Sequence, residues 1–345
     1  MTDLDVSPAR TAREVLSWSR DEVHPALRAA VDRLPESMRM IAGYHFGWRD
    51  EHGGPASADP GKAIRPALAL LAAQAVGGSA EGAMPAAVAA ELVHNFSLLH
   101  DDVMDGDVTR RHRPTAWSVF GINAAILAGD SLLTLALDVL AAGGHPAATR
   151  AIRELSVAVQ ELLAGQSADL AFEERADVGL AECVRMAEGK TGALLGASCA
   201  VGALFGGGTA EQVEHLRAFG AKLGLAFQFV DDLLGIWGDP AVTGKPVYSD
   251  LQNRKKSLPV VAALTSDTPA GRELDALYRA DRQLTGVDLT RAAHLVEACG
   301  ARAWSQGRAD DLLARARVHL RAARPADRAS RELDAVARLA THRTH

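Results

Sequence analysis

Residues 94–115, HNFSLLHDDVMDGDVTRRHRPT, decide how the rest of the chain is read. They put Asp101, Asp102 and Asp105 at the end of an apolar helical segment, with Arg110 and Arg111 close behind. Helix positions four apart share a face, so Asp101 and Asp105 point the same way one turn apart. His94 lies about two turns back on the same stripe. Two acids at that spacing can hold a hard divalent cation such as Mg2+ and leave other coordination positions to phosphate oxygens. The arginines complement them, because a guanidinium fork grips phosphate bidentately. Acids that suit a metal, followed at once by bases that suit phosphate, imply a diphosphate substrate.

An isolated DDxxD also reads as ordinary surface charge at a helix end. A second, matching stretch, FQFVDDLLGIWGDP at 227–240, argues against that reading. It again sets paired acids, Asp231 and Asp232, after an apolar run, and two such helices facing each other would line a cleft with carboxylates. Gln228, three residues before Asp231, falls on the same helix face.

With these motifs in hand, the chain resembles the trans-type isoprenyl diphosphate synthases, the farnesyl and geranylgeranyl diphosphate synthase family, over about residues 61–259. The resemblance implies the all-α isoprenoid synthase fold, with about ten or more helices around a central cavity. It implies condensation of isopentenyl diphosphate with an allylic diphosphate, three Mg2+ ions bound through the diphosphate, and a homodimer. In the family a GGKRxRP stretch grips isopentenyl diphosphate. Here GKAIRP keeps Lys62 and Arg65, and His94 and Arg111 complete that site. The resemblance gives the allylic diphosphate to Mg2+ on Asp101, Asp105 and Asp231, and to Arg110, Lys190, Thr191, Gln228, Lys245 and Lys255. Gln166 and Asp169 match a family stretch near the same site. Asp250 is expected to order the 243–259 loop, a mobile flap over phosphates.

Three departures from the family pattern stand out. Gly235 replaces the last acid of the second motif, and a carboxylate restored there is expected to be tolerated. Asp239 lies four residues on, in what reads as a turn. RRHRPT replaces RRGxPT and adds His112 and Arg113 at the rim. For product length, a bulky residue four positions before the first acid goes with fifteen carbons in the family. An aromatic five before it, with a small residue at four, goes with twenty. Phe96 and Ser97 therefore predict geranylgeranyl diphosphate; farnesyl or longer products and a class I terpene cyclase are the alternatives. A cyclase does not need Lys62, Arg65, His94 and Arg111, and a regulatory subunit would have lost acids that are all present.

Elsewhere the sequence bounds the answer. Net charge is −6 with scattered basic residues, which points away from a nucleic-acid partner. Three cysteines have no metal-ligand spacing and do not make a disulfide framework. The polar N-terminus does not read as a signal peptide. The run INAAILAGDSLLTLALDVLAA at 122–142 carries Asp130 and Asp138, each costing about 2.5–3.5 kcal/mol near a bilayer centre. It reads as a buried helix of a soluble, cytoplasmic protein with no membrane span. Apolar residues recur at helical spacing almost throughout, and no linker divides the 345 residues, so a single domain over 1–345 is expected. The periodicity predicts helices at 8–34, 66–78, 85–104, 115–142, 146–172, 178–188, 192–206, 209–237, 256–266, 270–281, 288–314 and 328–341.

Overall fold

The structure is a computed structural model that describes residues 8–58, 61–240 and 246–341. Helices α1 to α6 span Ala12–Val31, Glu36–His45, Ile64–Ala75, Met84–Met104, Ala116–Phe120 and Ile122–Ala142. A two-residue hairpin, β1 (Thr109–Arg110) with β2 (Arg113–Pro114), lies between α4 and α5. Next come α7 (Ala148–Glu174), α8 (Leu180–Ala187), a π-helical turn at Glu188–Gly192, α9 (Ala193–Phe205) and α10 (Ala210–Trp237). The remaining helices are α11 (Ser249–Gln252), α12 (Leu258–Leu264), α13 (Pro269–Arg279), α14 (Gly286–Ala298), α15 (Ala301–Ala322) and α16 (Asp327–Thr341). The all-α expectation is met.

Local chemistry sets these boundaries. Thr11 and Glu14 form a reciprocal capping box that starts α1. Gly121 at φ 89° separates α5 from α6, and Gly300 at φ 72° separates α14 from α15, where the sequence predicted unbroken helices. Helix α2 was missed because SMRMIAGYH is too short to show a clear period.

The chain divides into two compact units. The first takes the described residues of Met1–Val157, Ala197–Arg217 and His319–Val336, and the second those of Ala158–Gly196, Ala218–Val318 and Ala337–His345. In the first, α3 is buried on all sides, with Leu68, Leu70 and Leu71 wholly enclosed. A side chain at Gly202 or Gly206 would run into the α3 backbone at Ala69 or Ala73, so these two glycines allow α9 to lie directly on it. Helix α4 packs on both α3 and α6, which fixes the acid-bearing end of α4. Glu332, fully buried, accepts three bonds from Arg10, from its backbone N and from Nε and Nη2, at 2.7–3.0 Å.

The second unit is built on two clusters. Phe229 and Leu234 of α10 pack with Phe172, Met186, Leu258, Val261 and Leu312, while Ile236, Leu251, Val260, Leu274 and Val296 form the other. Helix α6 is long and apolar enough to cross a membrane, yet only 39% of that stretch is buried. Ile122, Ile126 and Leu127 are exposed at 50%, 37% and 55%, which corrects its reading as a buried helix. One face packs on α4 and the other is open.

Candidate active site

In the first unit the site is built on the last three turns of α4. Asp101 is half-buried and Asp105 exposed, and the Asp105 N–H donates to the Asp101 carbonyl at 2.8 Å. Asp105 is thus the C-cap of α4, bonded one turn back to Asp101, and the two acids occupy one face as their spacing required. Asp102 is different: it is 1% exposed, and Oδ1 accepts from Arg110 Nε at 2.7 Å while pairing with Nη2 at 2.7 Å. Burial lifts its carboxyl to about 6 despite the attraction of Arg110. Asp102 thus aims Arg110.

The hairpin places the two arginines. Arg111 and His112 both have positive φ, 51° and 61°, the geometry of a two-residue primed turn. The glycine of the family pattern at 112 belongs to that turn, and His112 adopts it with strain. Arg111 lies over Gly61, where any side chain would overlap its guanidinium, so Arg111 sits beside Lys62. Lys62 itself is exposed. Arg113 lines the same cleft as Arg110 and Arg111. It lies 4.4 Å over the Tyr44 ring and donates to the carbonyls of Tyr44 and Arg49, each at 3.2 Å, bracing the segment after α2.

Arg65, at the start of α3, has its Nε enclosed without a hydrogen-bond partner. Burial lowers it to about 10 against the pull of Glu91 and Asp101. A relay that the sequence did not reveal stands behind it. His45 Nε2 lies 3.1 Å from Asn95 Oδ1, and Asn95 Nδ2 donates to Glu91 Oε1 at 3.0 Å. Asn95 also bonds the Glu91 carbonyl, which fixes its amide and requires the His45 Nε2–H to donate. Burial, reinforced by Arg110 and Arg111, holds His45 down to about 3, and burial with Arg65 and Arg111 holds His94 well below its usual value. Both imidazoles are neutral. His45, Arg110 and Arg111 line one cleft with Gly47, Ala58 and Asp102. Spacing could not have found His45, since α2 contacts α4 only through the fold.

In the second unit, α7 and the π turn approach at backbone distance. A side chain at Gly165 would strike the Lys190 backbone, and one at Gly189 the Glu161 carbonyl. The extra residue of a π turn, frequent at functional sites, redirects Lys190 and Thr191. Lys190 Nζ pairs with Asp169 Oδ2 at 2.6 Å. Thr191 Oγ1 donates to Gln228 Oε1 at 2.5 Å, and Gln228 Nε2 donates to Asp232 Oδ1 at 2.7 Å. Asp232, 3% exposed, also accepts the N–H of Leu258 at 2.8 Å and so caps α12. Burial raises it to about 7, against the pull of Lys255. Gln166, 3% exposed, has neither end of its amide hydrogen-bonded.

The two aspartate motifs divide their labour alike. The second acid of each pair, Asp102 or Asp232, is buried and structural, while Asp101 is half-buried and Asp231 exposed. Lys255 is half-buried, and although burial lowers it, Asp250, Asp232, Asp169 and Asp231 more than offset this and keep it protonated. Lys245 lies outside the described residues. Asp239, two residues past the end of α10, is exposed. At Gly235 a side chain would overlap the Asp250 carboxylate, so that carboxylate would have to shift. Asp250 occupies the space that the missing acid of the motif would need.

The donors on offer are carboxylate oxygens, which match Mg2+ rather than a softer metal. Among the described residues no three His, Cys, Asp or Glu side chains converge on one point. Mg2+ usually binds through one or two carboxylates plus substrate phosphates, so this donor set fits it.

An all-α chain presenting acids and cations in this arrangement is of the isoprenoid synthase class. The profile of the polyprenyl synthetase family matches residues 55–294. A (2E,6E)-farnesyl diphosphate synthase of Mycobacterium tuberculosis is 49% identical over 303 residues, covering 87% of this chain and 84% of that one. A geranylgeranyl diphosphate synthase of the same species is 47% identical over 305 residues, covering 88% and 87%. The crystal structure of a polyprenyl synthetase from Streptomyces coelicolor A3(2) superposes with a TM-score of 0.91 at 46% identity, over 94% of this chain and 98% of that one. The chain belongs to the polyprenyl synthetase family, and it is a prenyltransferase of the trans-prenyl diphosphate synthase type.

Proposed function

We propose that the protein is a single-domain, Mg2+-dependent synthase that condenses isopentenyl diphosphate with an allylic diphosphate and releases geranylgeranyl diphosphate. Isopentenyl diphosphate takes Lys62, Arg65, His94 and Arg111. The orphaned Nε of Arg65 supports this, because a buried guanidinium N–H calls for an acceptor. Arg110, Lys190, Thr191, Gln228, Lys245 and Lys255 serve the allylic diphosphate, with Gln166 beside them. Asp101, Asp105 and Asp231 would hold the Mg2+, three ions as in the family. A geranylgeranyl pyrophosphate synthase from Corynebacterium glutamicum, 26% identical, was crystallised with isoprenyl diphosphate and magnesium.

When bound, the metal neutralises the leaving diphosphate. The chain's own cations share that charge and orient the two substrates. The allylic C–O bond then ionises, the double bond of isopentenyl diphosphate attacks the cation, and a proton leaves to the released diphosphate. No nucleophilic side chain is required, and the reaction needs water kept from the cation. A homodimer fits the open apolar face of α6, and water-soluble substrates fit a cytoplasmic location.

The observation that carries the product length is the packing of Phe96 and Ser97. Phe96 is 2% exposed, and Ser97, 7% exposed, donates its hydroxyl to the His94 carbonyl at 2.8 Å. A small residue faces the acid stripe, with an aromatic plug one position before it. Phe96→Ala should lengthen the products and Ser97→Phe should shorten them to farnesyl diphosphate. Chromatography showing the parental product from both variants would place the floor elsewhere.

A further inference from the structure

We infer that the depth of the product floor is set by His100 and Gly129 of α6, acting on Phe96; this rests on Phe96 being the floor. Phe96 and His100 are four apart on α4, and their rings meet edge to face, centroids 4.8 Å apart and planes at 67°. Edge-to-face contact of this kind holds the two rings together. The far side of the imidazole is held by α6. His100 Nε2 lies 3.0 Å from the Ile126 carbonyl, to which it donates, and 3.7 Å from Asp130 Oδ1. Below it is Gly129, where any side chain would overlap the ring.

The three residues make a stack: the α6 backbone at Gly129, the imidazole, then the Phe96 ring. Phe96 cannot swing towards α6, because the imidazole fills that space. The imidazole cannot retreat, because bare backbone already touches it and the Ile126 carbonyl fixes its turn. Close-packed interiors transmit a displacement of this kind rather than absorb it. Product length therefore depends on a residue immediately before the metal-binding acid and on one in a different helix, neither at the two positions counted from the motif. The role is one of specificity and needs no contact with the reacting atoms.

The test measures product size by chromatography, with geranyl and farnesyl diphosphate as primers, alongside the thermal midpoint of each variant. His100→Ala empties the space beside Phe96 and should move the main product up by at least one five-carbon unit. His100→Gln, which keeps a donor and most of the bulk, should keep the parental product. Gly129→Ala should push the imidazole against Phe96 and move the main product down by one unit. In a Phe96→Ala background, His100→Ala should add no further length. If Phe96→Ala lengthens the products while the His100 and Gly129 variants leave them unchanged, the inference falls and the floor stands. If His100→Ala lengthens them equally with and without Phe96, the stack is wrong. If Phe96→Ala changes nothing, the floor falls and the inference with it.

Discussion

Gly235→Asp restores the last acid of the second motif on the face of Gln228 and Asp231, and the structure predicts that it harms the metal-free protein. The space for a side chain at 235 is filled by the Asp250 carboxylate, the leading counter-charge of Lys255. If Asp250 stays, two carboxylates meet at about 4 Å, costing about 4 kcal/mol at an effective dielectric of 20. If one of them protonates instead, its carboxyl must be raised above its ordinary range, at a cost of the same order. If Asp250 turns away, it gives up an attraction of the same size to Lys255. Partial relief by each route leaves a loss of about 2–4 kcal/mol. Gly235→Ala separates the steric part: Asp250 must still shift, but alanine gains about 1 kcal/mol over glycine in a helix, so its net effect is within about 1 kcal/mol. Urea unfolding at pH 7 in low salt, without Mg2+, reads both variants. In an Asp250→Asn background the extra cost of aspartate over alanine should largely vanish. Equal stability of the Ala and Asp variants in both backgrounds would refute the reasoning.

Arg111→Ala should raise the apparent KM for isopentenyl diphosphate by about 10- to 100-fold, the loss of one charge-assisted contact, and leave the allylic KM nearly unchanged. Lys190→Ala should do the reverse, and equal effects on both substrates would break the two-site assignment. His45 is held neutral, with its pKa at about 3 in the folded protein against about 6.5 unfolded. A base whose pKa falls on folding gives stability above the unfolded value and loses it as pH drops. Between pH 6.5 and 5 this histidine removes up to about 2 kcal/mol. The stability curve of His45→Gln should be flatter over that window, and a parallel curve would show that the buried relay carries no such linkage. His112→Gly should raise stability by about 0.5–1 kcal/mol by relieving a left-handed histidine; a lower urea midpoint would contradict the turn geometry.

Much of the molecule was legible because its signals are local. Helical periodicity gave most of the elements, and four-residue spacing put Asp101 and Asp105 on one face. What the sequence hid depends on partners far along the chain. Nothing in DD says that the second acid turns inward, because Arg110 for Asp102 and the Leu258 N–H for Asp232 are brought there by the fold. His45 lies in a helix too short to show a period, 50 residues from the asparagine it bonds. The crowding at Gly235 was hidden for the same reason, since its side-chain space is filled by Asp250 of α11. Arg113, read as a rim cation, lines the cleft of Arg110 and Arg111 and also meets a ring and two carbonyls that no local pattern announces.

The central claim is that this chain elongates an allylic diphosphate with isopentenyl diphosphate and stops at twenty carbons. The direct measurement supplies labelled isopentenyl diphosphate and Mg2+ with dimethylallyl, geranyl or farnesyl diphosphate in turn, and sizes the dephosphorylated products by chromatography. The account predicts geranylgeranyl chains from every accepted primer, none after chelation, and none from an Asp101→Ala variant that unfolds like the parent. Chains that stop at fifteen carbons, with farnesyl diphosphate left unextended, would contradict it.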